Sequence, residues 1–470
     1  MANLPIEPER IRELNAFEAD HAAGTYVLYW CSEAQRAEEN LALEYAIWRA
    51  NQLEQSVVVA FGLDADFPEA TARSFLFLLE GLADLKEALA RRGLKFIVAQ
   101  AKPSSLALEL ARDASLLVCD KGYLRTQRAW RDEVADEAGC PVIEIDTELI
   151  VPVETASDKA EYAARTIRPK LHRQFEKFCR RVKTVEPAKE SLRLAVEARN
   201  EVDLDDPEGV LKALGTDTSV EPIPFFTGGT TEAKKIWNSF LRKHFDHYDG
   251  NRNQPQTSDV SHMSKYLHYG QISPVYLAES ARDAASGGKA DKDSFIEELF
   301  VRRELAFNFV YYTDGYDSFA CLPDWAHKTI DKHRGDRREY VYTREELDAA
   351  ETHDPYWNAA MREMKFTGYM HNYMRMYWGK KIYEWSADPE EAFATTLALN
   401  NRYFLDGRDP NSYTGVAWCY GVHDRPWTER PVFGQLRYMN ANGLKAKAKP
   451  DRYVEKVDRL VEEATGATLL

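Results

Sequence analysis

Residues with chemistry to offer gather in four short segments of the second half of the chain. The densest is Gly368–Trp385, GYMHNYMRMYWGKKIYEW. On a helix, His371, Arg375, Trp378, Ile382 and Trp385 recur at steps of four, three, four and three, which puts them on one face. Trp378 and Trp385 then lie two turns apart, roughly 10.5 Å along the axis. A cation and two indoles on a stripe otherwise suited to burial fit a buried site. They also fit an arginine snorkelling past aromatic packing. The second segment, LALNNRYFLDGRDPNSYTGVAW (Leu397–Trp418), closes a helix at Asn400 and Asn401 and turns at Asp406-Gly407 and Asp409-Pro410-Asn411. A polar loop flanked by aromatics suits a pocket edge as well as plain surface. In the third, DSFIEELFVRRELAFNFVYYT (Asp293–Thr313), Glu298 and Arg302 are i,i+4 neighbours, by default a surface pair. The fourth, TSDVSHMSKYLHYGQIS (Thr257–Ser273), places hydroxyls before and inside a helical start. There they can hold phosphate, although N-capping alone accounts for Ser261 or Ser264.

The elements that must position these residues fall into two kinds. Up to residue 150, short apolar runs alternate with amphipathic stretches. The runs are Tyr26–Cys31, Ser56–Leu63, Lys95–Gln100, Ser115–Asp120 and Pro141–Asp146. Between them the pattern predicts helices from a Ser32/Gln35 capping box to about Leu53, over about Glu69–Arg92, from Ser104, and over Leu124–Ala138. Five strands and four helices in alternation predict an α/β domain with a doubly wound parallel sheet over residues 20–150. No G-x-G-x-x-G or G-x-x-x-x-G-K-[ST] stands at a strand-to-helix turn, so the phosphate cradles of dehydrogenases and P-loop enzymes are missing. Residues 151–230 read as a connection. Lys159–Lys183 carries nine Lys/Arg against two Glu, a run that suits a solvated helix face better than a phosphate contact. Helical periodicity then dominates residues 231–462, predicting an all-α second domain.

Bulk composition bounds the reading. The 470 residues are 44% apolar and 29% charged, which suits a soluble globular protein of two domains. Met1–Asp20 lacks the apolar core of a signal peptide, and no apolar run is long enough to span a bilayer. A soluble intracellular protein, cytoplasmic or nuclear, is expected. The six cysteines are far apart, without disulfide-framework or zinc spacing, so no metal site is expected. The net charge of −15 argues against nucleic acid on average, but a local basic rim is enough for DNA. Seven of the ten tryptophans follow residue 230, more than a helical core requires.

Together, EELFVRREL, GYMHNYMRMYWGKK, LNNRYFLDGRDPNSY and HDRPWTERPVFG resemble the photolyase and cryptochrome family, and in detail its second class of cyclobutane dimer photolyases. The resemblance covers nearly the whole chain, including YVLYWCSEAQRAEENLALEYAIWRAN near the start. It implies an FAD held by the helical domain without a Rossmann fingerprint and active as FADH−. It also leaves open an antenna chromophore, deazaflavin or folate, in the first domain. Tyr248 and Ser261, His262, Met263 and Ser264 match the phosphate and adenine side of the flavin site. Arg375 and Asp406 match the ion pair beside the isoalloxazine, and Asn400 the group facing flavin N5.

By the same resemblance, light drives an electron from the reduced flavin into a pyrimidine dimer flipped out of UV-damaged DNA, and the protein works as a monomer. Glu298 matches the carboxylate that touches the dimer carbonyls. Desolvated there, it is expected to hold a proton for the developing anion. Met376 and Trp418 match the surfaces that pack the dimer, while Trp427 and Arg437 match residues that fill the hole left in the duplex. Trp378, Trp357 and Trp385 match the chain that photoreduces the flavin. Val301 stands where the first class has a tryptophan. The competing reading is a cryptochrome-like blue-light sensor without repair activity. It leaves Glu298, Met376 and Trp418 without a task.

Overall fold

The computed structural model describes residues 4–17 and 24–466; the expected domain start at residue 20 lies outside them. Strands β1 (Ile11–Glu13), β2 (Tyr26–Trp30), β3 (Ser56–Leu63), β4 (Lys95–Gln100), β5 (Ala114–Asp120) and β6 (Val142–Ile145) form one sheet in the order β1-β6-β5-β2-β3-β4. Every pair is parallel except β1 with β6. Helices α1 (Leu41–Gln52), α2 (Ala72–Arg91), α3 (Pro103–Ala111) and α4 (Arg125–Glu137) cover it. The two-residue period of a strand sorts β2 cleanly. Val27 and Tyr29 join the core under α1 and α2, while Tyr26, Leu28 and Trp30 join the core under α3 and α4. Burial on both faces is what turns the central strands into continuous apolar runs. β1 was not expected: three residues, two of them charged, give no apolar signal, and such a short strand suits a sheet edge.

The helix expected to open at Ser32 begins at Leu41 instead. Asn40 caps it, accepting from Leu43 N at 3.0 Å. The amides of Ser32, Glu33 and Ala34 converge on Asp120 Oδ2, at 2.9, 2.9 and 3.1 Å, and no helix follows until Leu41.

Residues 151–230, read as a connection with some helix in it, do contain helix. Helix α5 (Ala164–Phe178) carries much of the basic run, and four of the run's nine cations are paired with carboxylates, Lys177 with Glu9 among them. Arg168 meets Glu297 at 2.7 Å, Arg181 meets Glu279 at 3.0 Å, and Lys170 binds Glu161. Beyond it, Val182, Val185, Val196 and Val202 return to pack on the sheet domain's cores.

The remainder is helical among the described residues. A helix over Lys289–Ile296 passes through a π turn, Glu297–Arg302, into α6 (Arg303–Tyr312). Helices α7 (Pro355–Thr367), α8 (Asn372–Trp385), α9 (Pro389–Tyr403), α10 (Pro410–Cys419) and α11 (Pro450–Thr465) enclose the largest apolar core. Buried Arg73 of α2 stitches the two halves together. Its guanidinium donates to Met364 O (3.3 Å) at the end of α7, to Tyr403 O (3.0 Å) at the end of α9, and to Glu221 O (3.0 Å). Carbonyls at helix C-termini lack partners within their own helix and carry partial negative charge, so a cation there satisfies both.

Candidate functional site

Gly368 ends α7 in the left-handed conformation (φ 65°), and α8 starts only at Asn372. His371 is therefore the cap, its Nδ1 accepting from Tyr373 N at 3.2 Å. One turn on, Arg375 Nη2 donates to both oxygens of Asp406, at 2.9 and 3.0 Å. Its Nε donates to Met370 O (3.1 Å), and its guanidinium lies 3.8 Å from the Phe404 ring centroid. Burial alone would raise the Asp406 carboxyl. The Arg375 charge, the Ser264 hydroxyl and the Lys265 charge outweigh it and hold Asp406 below the ordinary carboxylate range.

Asn400, buried on α9, spends both amide donors on Asn401 Oδ1 (3.1 Å) and Ser412 Oγ, which leaves its own Oδ1 for another partner. Ser261 and Ser264 do not cap the short helix that follows them: Met263 stands at the cap position without a side-chain bond. Ser264 is thereby free to reach Asp406. His262 has φ 57°, a strained value for a non-glycine residue, and its Nδ1 is buried without a partner. His371 Nε2 and Trp378 Nε1 are buried and unpartnered too. Desolvation, with Lys456 and Arg375 nearby, pushes His371 down to about 3, so it is neutral. Buried polar atoms left orphaned call for a polar ligand, and a cofactor rich in acceptors and donors fits them.

The three indoles come together. Trp357 Nε1 on α7 donates to Trp378 O at 3.0 Å, and its ring meets Trp385 with centroids 5.7 Å apart at 66°. All three are buried. The seam of α8 thus bends through a neighbouring helix rather than running straight from Trp378 to Trp385.

Glu298 departs from the i,i+4 pairing. It does not pair with Arg302, because in the π turn the side chain five residues back is the neighbour, and Arg302 Nε meets Glu297 at 3.0 Å. Glu298 instead meets Arg252 at 2.7 Å, with its side chain 33% exposed. Tyr248, buried beside this pair, has its hydroxyl pushed up to about 12 by burial and then by the Glu298 charge. Arg302 lies 5.5 Å from the ring of Trp418, the penultimate residue of α10. Trp418 and Met376, which follows Arg375 on α8, are both half-exposed. Trp427 is 39% exposed and sits between Arg425 and Arg437, at 5.4 and 5.3 Å from their guanidinium carbons. One chain of contacts therefore links the Glu298 turn through Arg302 to Trp418, and along α10 back to Asp406 and Arg375.

A cleft opens at the C-terminal ends of β2 and β3, where doubly wound sheets bind ligands. Trp30, Phe67, Trp130 and Tyr269 line it, and buried Trp30 Nε1 and Gln35 Oε1 lack partners there.

A DNA photolyase family model matches residues 27–190. Deoxyribodipyrimidine photo-lyase of Methanothermobacter thermautotrophicus is 47% identical over 97% of this chain and all of its own length. The chain belongs to the photolyase/cryptochrome family. The Arabidopsis thaliana deoxyribodipyrimidine photo-lyase is 37% identical, over 98% of this photolyase and 95% of the relative. A bacterial class III photolyase from Agrobacterium tumefaciens shares the fold at a TM-score of 0.69 and 18% identity, covering 94% of this chain and 86% of that one. The mixed sheet followed by helices is the family's architecture.

Several partners in this photolyase's site escaped sequence reasoning. Ser412 lies inside a quoted motif, yet nothing in its spacing says that it holds Asn400. Arg252 sits in the loop-like DGNRNQP, with no periodicity to aim it at Glu298. Lys265 lies in the hydroxyl-bearing segment that was read for phosphate contacts.

Proposed function

We propose that this photolyase repairs cyclobutane pyrimidine dimers in UV-damaged DNA with a reduced FAD held among α8, α9 and α10, and that it belongs to the second class. The observation that carries the reading is the Arg375–Asp406 pair. It stands beside orphaned buried polar atoms at one end of α8, on the helix that also bears Trp378 and Trp385. When bound and excited by light, the flavin supplies the electron that opens the dimer.

The chain's residues bind, orient and screen. Arg375 and Asp406 form a charged clamp. Asn400 presents an acceptor oxygen suited to the N5–H of the reduced ring. Tyr248, Ser261, His262, Met263 and Ser264 line the phosphate and adenine side. Trp378, Trp357 and Trp385 pass electrons inward to regenerate the reduced cofactor. Glu298, positioned by Arg252, offers oxygens at the mouth of the site, where Met376 and Trp418 give flat, polarizable surfaces to an unstacked base pair. Trp427, with Arg425 and Arg437, supports a contact to the duplex: a local positive patch on an acidic protein suits phosphates and an opened base step. The cleft beside Trp30 and Gln35 would take a second, light-gathering chromophore of deazaflavin or folate type. Illuminating the reduced, FAD-loaded protein with dimer-containing DNA should remove dimers, and a parallel dark sample should remove none. Equal loss in both, or none in either, would end the reading.

A further inference from the structure

Lys265 is 1% exposed, and no step described so far uses it. Its Nζ lies 3.7 Å from the centre of the Phe226 ring and 5.2 Å from that of Tyr369. Among the described residues its single acceptor is the His262 carbonyl, at 3.1 Å, so two of its three donors are unspent. A buried ammonium is costly, and an aromatic box with one carbonyl offsets only part of that cost. The charged groups that bear on it are those of the clamp, Asp406 stabilising the ammonium and Arg375 opposing it. Tyr369 stands between the two cations, 5.2 Å from Lys265 and 5.9 Å from Arg375. His262, on the same loop, is held neutral by burial and by Lys265 itself, with Lys456, His371 and His244 adding to the effect. The Phe226 segment contributes only its ring.

Arg375 and Asp406 neutralise one another, so the clamp as a unit brings no net charge to a flavin ring that becomes an anion on reduction. We propose that Lys265 is the missing counter-charge: a positioning residue whose ammonium balances the reduced flavin and whose proton is taken up with the electrons. The inference rests on the flavin reading above. Burial pushes the Lys265 ammonium down to about 7, so a new negative charge on the flavin ring would restore the proton. Reduction of FAD to its anion takes two electrons and one proton. With Lys265 protonated at the same time, the balance is two electrons and two protons.

The test is a redox titration of the flavin absorbance in the FAD-loaded protein from pH 6 to 9, for the wild type, Lys265→Met and Lys265→Arg. Above neutrality the wild type should take up two protons per two electrons. Both variants should take up one, since methionine never carries the proton and arginine never loses it. Lys265→Arg should also carry the wild type's shallow low-pH dependence of the potential on into the alkaline range, whereas Lys265→Met should be harder to reduce throughout. A wild-type uptake of one proton, or an uptake of two that survives in both variants, overturns the proposal. If a variant sheds its flavin, the wild-type proton count decides alone. A wild type that takes up no FAD brings down the flavin reading; full FAD content with an unaltered proton count brings down only the lysine.

Discussion

Replacing Asp406 by Asn is the most direct probe of the clamp. The substitution keeps the volume but removes the charge that Arg375 Nη2 meets at 2.9 and 3.0 Å. What remains for Arg375 is Met370 O and the face of Phe404. Stranding one partner of a fully buried pair costs about 3–5 kcal/mol, while an exposed pair is worth about 0–1 kcal/mol. The Asp406 side chain is 10% exposed and that of Arg375 24%, so water can reach the guanidinium in part. We expect a loss of about 2–3 kcal/mol, below the fully buried range because of that access. For a helical unit of this size that is a fall of about 6 °C in the melting midpoint. Far-UV circular dichroism at pH 7, with flavin release followed in parallel, reads it. Because folding depresses the Asp406 carboxyl, the pair's contribution is complete above the ordinary carboxylate range and is lost as pH falls through the folded value. Wild type and Asp406→Asn should therefore converge in acid. Arg375→Met and the double variant complete a cycle, with an expected coupling of at least about 1 kcal/mol. An Asp406→Asn protein that melts within a degree of wild type at pH 7, or strictly additive single variants, would refute the clamp.

Trp378→Phe should abolish photoreduction of the oxidised flavin while sparing repair by chemically reduced enzyme. Trp378 Nε1 has no partner to lose and Trp357 bonds only its backbone, so the fold should tolerate the change; loss of both activities would undo the relay. Glu298→Gln should keep most of the repair yield and Glu298→Ala lose it, whereas equal losses would remove Glu298 from contact with the dimer. Glu304, buried and accepting from Ile150 N (2.7 Å) and Val151 N (3.2 Å), is raised to about 8, first by desolvation. The folded state keeps a proton that the unfolded chain gives up above the ordinary carboxylate value. Stability from this group is therefore complete in mild acid and falls as pH rises toward 8, by about 3 kcal/mol at pH 7. Glu304→Gln should melt higher than wild type at pH 7 and close to it at pH 5; a lower melt at pH 7 would contradict the assignment.

Much of the frame was legible because burial leaves a direct imprint on sequence. Strands covered on both faces, such as Ser56–Leu63, are runs of apolar residues, and their ends could be placed within a residue or two. The indole face of α8 followed from helical arithmetic, and the 5.7 Å contact of Trp357 with Trp385 lends it support from another helix. What stayed hidden was settled by partners distant in sequence. Asp120 gathers the amides of Ser32–Ala34, a contact across about ninety residues that no local pattern could announce. Arg252 reaches Glu298 from a stretch without periodicity, and the three residues of β1 carry too little apolar character to be seen.

The wide turn at Glu297–Arg302 also sets a length requirement. Such a turn holds one more residue than the regular helix on either side, so everything after it is rotated by about a hundred degrees relative to an unbroken helix. Regularising the turn at its present length would swing Arg302 off Trp418 and turn Glu304 away from the amides of Ile150 and Val151, whereas deleting one residue would absorb the bulge and leave both in phase. The mouth of the site and the joint between the two halves are phased by the same extra residue. Neither could be re-registered without the other.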